Sequence, residues 1–149
     1  MSAQARLEAV ARAIDALRAG RAVRLKTSGV HTLFAVETIS AAALTRLVRP
    51  LLILSHARAR TLKIRLYTPD VVALTIRPGT SPADLKAIAD PTADLETPLK
   101  GPFAARRQRL APAYGAAVKL AKLAGLLPAA VVVTPDLEPN PVTATSLGL

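Results

Sequence analysis

Residues 115–133 read GAAVKLAKLAGLLPAAVVV, and this stretch decides the fold. Ala117, Leu120, Ala121 and Ala124 recur at helical spacing, and their small side chains let a helix lie close against a sheet. Gly125 ends that helix, because glycine enters the left-handed conformation at little cost. Pro128 follows and leads into an apolar, β-branched run of the kind found in a strand covered on both faces. The stretch therefore predicts a helix beginning at Pro112 or Tyr114, a glycine stop and a central strand over 129–134.

Working backwards along the chain, helix and strand signals alternate. Ser2 caps a helix from residue 3, with Leu7, Val10, Ile14 and Leu17 on the face expected to be buried and Gly20 just past its end. RAVRL (21–25) and HTLFAVET (31–38) read as a hairpin about a KTSG turn. Ser40 caps a helix over AAALTRLVR, and Pro50 stops it. LLILS (51–55) is a short buried strand. Ser55 caps the helical HARARTLKI, and DVVALTI is a further strand. Ser81, Pro82 and Asp84 form a variant capping box for the next helix. Residues 90–111 read as a long loop, and 135–149 as a Pro-rich tail or linker. The expected architecture is one α/β or α+β domain over 1–134 with a mixed sheet flanked by helices.

Composition narrows the chemistry. The 149 residues suffice for one domain with a core, and at 51% hydrophobic but 3% aromatic that core rests on Ala, Val, Leu and Ile. The absence of Cys removes disulfides, thiol nucleophiles and Cys-based zinc sites, and is compatible with a reducing cytoplasm. No run of about 18 uncharged apolar residues predicts a membrane span. The net charge of +10 invites a nucleic-acid reading, but only Phe103 accompanies the dense cluster of Lys100, Arg106, Arg107 and Arg109, so nucleic acid is disfavoured as a partner.

The reactive groups are sparse. His31 and His56 are the only histidines, and neither has a carboxylate at ligand spacing. The ten acids are dispersed, and those from Asp84 to Glu96 are accounted for by capping and solvation. No metal site and no cofactor are expected. RPGTSPAD (77–84) offers Arg77, Thr80 and a helix N-terminus to an anion, although Ser81 and Asp84 already cap that end. Lys26, His31, Arg77, Thr80, Arg106, Arg107 and Arg109 form the candidate set for weak anion binding, and no catalytic residue is assigned.

The opening stretch resembles the C-terminal segment of 3,4-dihydroxy-2-butanone 4-phosphate synthase. There a Gly-His-Thr-Glu-Ala motif opens a helix ending in Leu-Ala-Gly-Leu, followed by Pro and an apolar strand. AIDALRAGRAVRL (13–25), AVETISAAALTRLVR (35–49) and TSPADLKAIADP (80–91) resemble the family's first helix and strand, its Ala-Ala-Glu segment and its Ser-Ala-x-Asp-Arg segment. The resemblance runs over roughly residues 5–134. The departures fall on the chemistry. Ala113, Tyr114 and Gly115 stand where the family has His-Thr-Glu, Thr134 where it has a Glu after the last strand, and Lys26 where it has the first Asp of an acidic loop. In the family these positions supply magnesium ligands and acid–base groups, and Lys26 and Ala113 supply neither.

The same degenerate domain precedes a zinc-containing catalytic domain in some bacterial GTP cyclohydrolase II proteins. The resemblance implies a non-catalytic synthase-like domain of a riboflavin-pathway protein, acting in homodimerisation or in support of a downstream cyclohydrolase domain. An active sugar-phosphate enzyme with relocated residues and a basic nucleic-acid-binding module are the alternatives.

Overall fold

Four serines set where helices start. Ser2, Ser40, Ser55 and Ser81 each turn an Oγ back to accept an N–H three residues on, at 3.0, 3.1, 3.2 and 3.1 Å. Each satisfies one of the donors that a first helical turn leaves without a partner. The computed structural model describes residues 2–26, 29–94, 103, 105–107 and 110–134. The tail over 135–149, Arg109 and most of the 95–109 loop lie outside the described residues, as do the two central residues of the KTSG turn.

The order is α1 (Ala3–Arg18), β1 (Val23–Lys26), β2 (Val30–Ala35), α2 (Ala41–Arg46), β3 (Leu51–Ser55), α3 (His56–Thr61), β4 (Val71–Thr75), α4 (Pro82–Ala89), a 3₁₀ turn (Pro91–Ala93), α5 (Pro112–Leu123) and β5 (Ala129–Val133). The strands form one sheet in the order β1-β2-β5-β3-β4. Strand β5 is central, as its apolar run predicts. It joins two pairs that form without it, the β1–β2 hairpin and the β3–β4 pair.

The α+β class matches the sequence reading, but every pairing is antiparallel rather than mixed. An uninterrupted apolar run reports that both faces of a strand are covered. It carries no information about the direction of its neighbours.

Strand alternation sorts the core into two layers. Leu33, Ala35, Leu51, Ile53, Ala73, Ala130 and Val132 face Leu17 of α1 and Ala113, Tyr114, Ala117 and Val118 of α5. Phe34, Leu52, Leu54, Val72, Leu74, Ala129 and Val131 face Leu44 of α2, Ala59 of α3 and Leu85 and Ala89 of α4. Tight chain reversals frame these layers. Gly20 has φ +78, and a Cβ there would stand 2.6 Å from the Thr38 carbonyl oxygen, so only glycine fits.

Helix α1 does not bury the face its large residues suggest. Leu17 is fully buried, Ile14 is half-buried, and Leu7 and Val10 are exposed. The residues turned inward along its length are Ala5, Ala9, Ala13 and Ala16. Arg18 Nε donates to the Ala124 carbonyl at 2.8 Å, so α1 and α5 end together. Sixteen residues of α1 rise about 24 Å against about 18 Å for the twelve of α5, so only the first turn, Ala3–Arg6, runs past its neighbour, and Leu7 and Val10 are exposed because the helix turns its alanine face inward.

The corner after α4 is fixed by a buried arginine. Arg58 makes a two-pronged ion pair with Asp94, both bonds at 2.8 Å, and its Nε donates to the Ile88 carbonyl at 2.8 Å. The sequence reading assigned the acids of this segment to capping and solvation. That holds for Asp84 and Asp90, which accept the N–H groups of Ser81 and Thr92. Asp94 instead neutralises a charge from 36 residues away.

Leu17→Asp is expected to destabilise the fold by several kcal/mol, and Leu7→Asp by no more than about 0.5 kcal/mol. Equal thermal midpoints for the two variants would contradict this packing. The backbone N–H of Ser81, and then its side chain, hold the Asp84 carboxyl below the usual range. The resulting stabilisation is complete above the unfolded value of about 4 and fades as pH falls through the lower folded value. Asp84→Asn should therefore cost stability at neutral pH, and the difference from the parent should shrink on acidification below pH ~4. Chemical denaturation across that range measures it.

Candidate functional site

Register brings together three residues far apart in sequence. Thr32 lies opposite Val133 in the β2–β5 ladder, so the next antiparallel step sets His31 against Thr134. Alternation turns His31 to the same face as Leu33 and Ala35, toward α5, whose first turn supplies Tyr114. His31 Nδ1 lies 3.2 Å from Thr134 Oγ1, and the Tyr114 hydroxyl lies 2.8 Å from the same oxygen. The imidazole and phenol rings meet edge to face, with centroids 5.8 Å apart and planes at 86°. His31 and Tyr114 are buried, at 2% and 7% exposure, and Thr134 is half-buried.

The threonine hydroxyl has one proton to give and lone pairs to accept with, so it links imidazole to phenol in one chain. Such a chain can orient a hydroxyl or a phosphate oxygen. Among the described residues no group of three His, Cys, Asp or Glu side chains is placed to hold a metal ion.

The rest of the anion-binding set is dispersed. Lys26 is exposed at the end of β1, opposite Val30 and beside His31 in the ladder. Arg77 and Thr80 lie in the turn after β4, where Thr80 Oγ1 donates to the Arg77 carbonyl at 2.6 Å. They line an apolar-floored cleft of about 700 Å³ with Leu44, Leu47, Arg49 and Pro50. That turn is at the same end of the sheet as His31 but three strands away, about 14 Å at ordinary strand spacing. Arg106 and Arg107 run along the outer edge of β4, where the Arg106 N–H donates to the Ala73 carbonyl at 2.8 Å. Arg109 lies outside the described residues.

His56 is structural. Its Nε2 donates to the Thr68 carbonyl at 2.6 Å and clamps the α3–β4 connection. The sequence reading also missed Glu37, whose Oε2 accepts the Leu127 N–H at 2.9 Å and pins the turn that feeds β5. Its place in the AVET segment gave no hint of a partner 90 residues away.

The fold recurs in solved structures. A 3,4-dihydroxy-2-butanone 4-phosphate synthase of Candida albicans superposes with TM-score 0.57 at 20% identity, covering 83% of this chain and 77% of that one. This chain has the fold of 3,4-dihydroxy-2-butanone 4-phosphate synthase. A cation-free form of such a synthase gives TM-score 0.60 at 19% identity over 84% of this chain and 74% of that one. RibBX, a two-domain synthase from A. baumannii, gives 0.56 at 18% over 94% and 54%. In sequence, the chain is 35% identical over 136 residues to a GTP cyclohydrolase-2 of Azospirillum brasilense, covering 87% of this chain. It spans about a third (35%) of that relative's length. No family model matches the chain.

Within this synthase fold, the positions singled out by the sequence resemblance converge. Ala113, Tyr114 and Gly115 form the first turn of α5, Thr134 ends β5, and Lys26 ends β1, all at one end of the sheet. His31 completes the group.

Tyr114→Phe removes one hydroxyl from the chain and should cost about 1 kcal/mol of stability. Thr134→Val removes the link itself and should cost at least as much, since it deprives both partners at once. Thermal midpoints indistinguishable from the parent in both variants would show that these bonds contribute nothing.

Proposed function

We propose that this chain is a synthase-like domain without synthase chemistry, belonging to a riboflavin-pathway protein of the GTP cyclohydrolase II type. In this reading it serves homodimerisation or supports a partner domain. One observation carries the reading. The place in the fold where the family resemblance puts a carboxylate, an imidazole and a general acid holds Lys26, Ala113 and Thr134. The match to the Azospirillum brasilense GTP cyclohydrolase-2 and the two-domain neighbour both favour a partner domain.

The chemistry explains why those losses matter together. Forming dihydroxybutanone phosphate from ribulose 5-phosphate requires enolisation, a skeletal rearrangement and loss of formate. Each step moves a proton, and a divalent ion is needed to hold the enediolate oxygens. Lys26 adds positive charge where the ion would bind. The Tyr114 hydroxyl and His31 Nδ1 both engage Thr134. Weak anion binding by Lys26 and His31, or by Arg77 and Thr80 in their own cleft, is compatible with binding without turnover.

Purified protein incubated with ribulose 5-phosphate and Mg²⁺ should release no formate above background. In sedimentation the same sample should run as a dimer. Formate release that scales with protein and stops with chelator would overturn the loss of chemistry. A monomer at all concentrations would remove the homodimer and leave the partner domain.

A further inference from the structure

The α3–β4 connection carries the sequence RTLKIRLY (60–67). Its Ile64 turns into the core and Leu62 is half-buried. Arg60, Lys63, Arg65, Leu66 and Tyr67 remain outside. Leu66 and Tyr67 are two of the few large apolar side chains exposed on the molecule, at 38% and 37%. Arg107 joins them from the other side of the loop region, its guanidinium carbon 4.9 Å from the Tyr67 ring centre. Four exposed cations thus flank an apolar pair, with Asp70 the exposed acid of the same connection.

The surface is held in shape from beneath. Thr68 is buried, its Oγ1 donates to the Val71 carbonyl at 2.6 Å, and its own carbonyl accepts from His56 Nε2. Lys63 and Asp70 take positive φ values of 60° and 65°, a conformation uncommon for residues other than glycine. The Ile64 N–H to Ala59 carbonyl bond of 2.8 Å locks the first of these turns. A preformed surface loses little conformational freedom when a partner binds.

We propose that this shoulder docks an acidic protein segment bearing an apolar residue between carboxylates. Charge complementarity selects the acid, in a chain of net charge +10. Exposed Leu66 selects an apolar contact that a phosphate backbone does not offer, and Tyr and Arg side by side are the residue types that dominate protein interfaces. Nucleic acid fits less well. One face of Tyr67 is taken by Arg107, and no other exposed aromatic residue exists among the described residues to stack a second base. The shoulder precedes β4, on an edge strand and at the other end of the sheet from His31 and Thr134, so the inference stands apart from the proposed function.

The test uses the purified chain and a fluorescein-labelled synthetic peptide of repeating Asp-Leu-Glu. Saturable anisotropy change is expected, weakening as salt rises. Leu66→Ser, Tyr67→Ala and Arg107→Ala should each weaken binding about tenfold at unchanged thermal midpoint, while Leu7→Ser on α1 leaves it unaltered. A peptide of repeating Asp-Ser-Glu should bind about tenfold less tightly. Equal affinity for the two peptides would reduce the shoulder to unspecific charge and overturn the proposal. So would tighter binding of an oligothymidylate of equal charge, absence of saturable binding, or self-association lost in Leu66→Ser, which would make a second copy the occupant.

Discussion

Everything in this fold waits on one strand. β5 is hydrogen-bonded on both edges, to β2 through Thr32 to Ala35 and to β3 through Leu51 to Leu54. Without it the β1–β2 hairpin and the β3–β4 pair are separate two-stranded pieces, and isolated two-stranded ribbons are marginal in water. Its first four residues, Ala129–Val132, are each no more than 1% exposed, and they divide between the two core layers. A slip of one residue would exchange those layers and turn Thr134 away from His31. The register that builds the core therefore also builds the site. Gly125 at φ +76 and the Glu37–Leu127 bond act upstream of that register, fixing where β5 starts.

What was legible in the sequence was local. Ser81 and Asp84 announce their capping box because both partners lie within four residues, and β3 is bounded by Pro50 and by Ser55, which caps the next helix. The hairpin and the central place of β5 follow from short apolar runs. Strand direction, the inward face of α1 and the Arg58–Asp94 pair were not legible, because each is decided by a distant element. On α1 the stripe of Leu and Val looks like the buried one on periodicity alone. It fails because α1 packs on its small residues, Ala5, Ala9, Ala13 and Ala16, a choice of face made by the elements it packs against.

The site shows the same division. Family resemblance located Lys26, Tyr114 and Thr134, with His31 in the same KTSGVH turn as Lys26, but the bond from His31 to Thr134 comes from the β2–β5 register, which no local pattern encodes. The anion set fails to gather for a related reason. Arg106 and Arg107 look clustered with Lys26 as charge, yet β1 and β4 are opposite edges of the sheet. Proximity in composition is not proximity in space. Conversely, Tyr67 and Arg107 are 40 positions apart and meet at 4.9 Å.

On the proposed reading, the exchange of reactive groups has a thermodynamic direction. A cluster of carboxylates built for a divalent ion repels itself when the ion is absent, and each partly buried charge carries a desolvation cost. The described group here is built of an imidazole and two hydroxyls. His31 and Tyr114 both hydrogen-bond Thr134, and the Tyr114 ring packs in the layer that holds Ala113 and Ala117. No buried side-chain nitrogen or oxygen among the described residues lacks a partner. On that reading the exchange favours stability, because strained, charge-dense sites are where activity and stability oppose each other. On that reading the scaffold rests on the layers either side of β5, to which only Ala113 and Tyr114 of the singled-out positions contribute buried side chains.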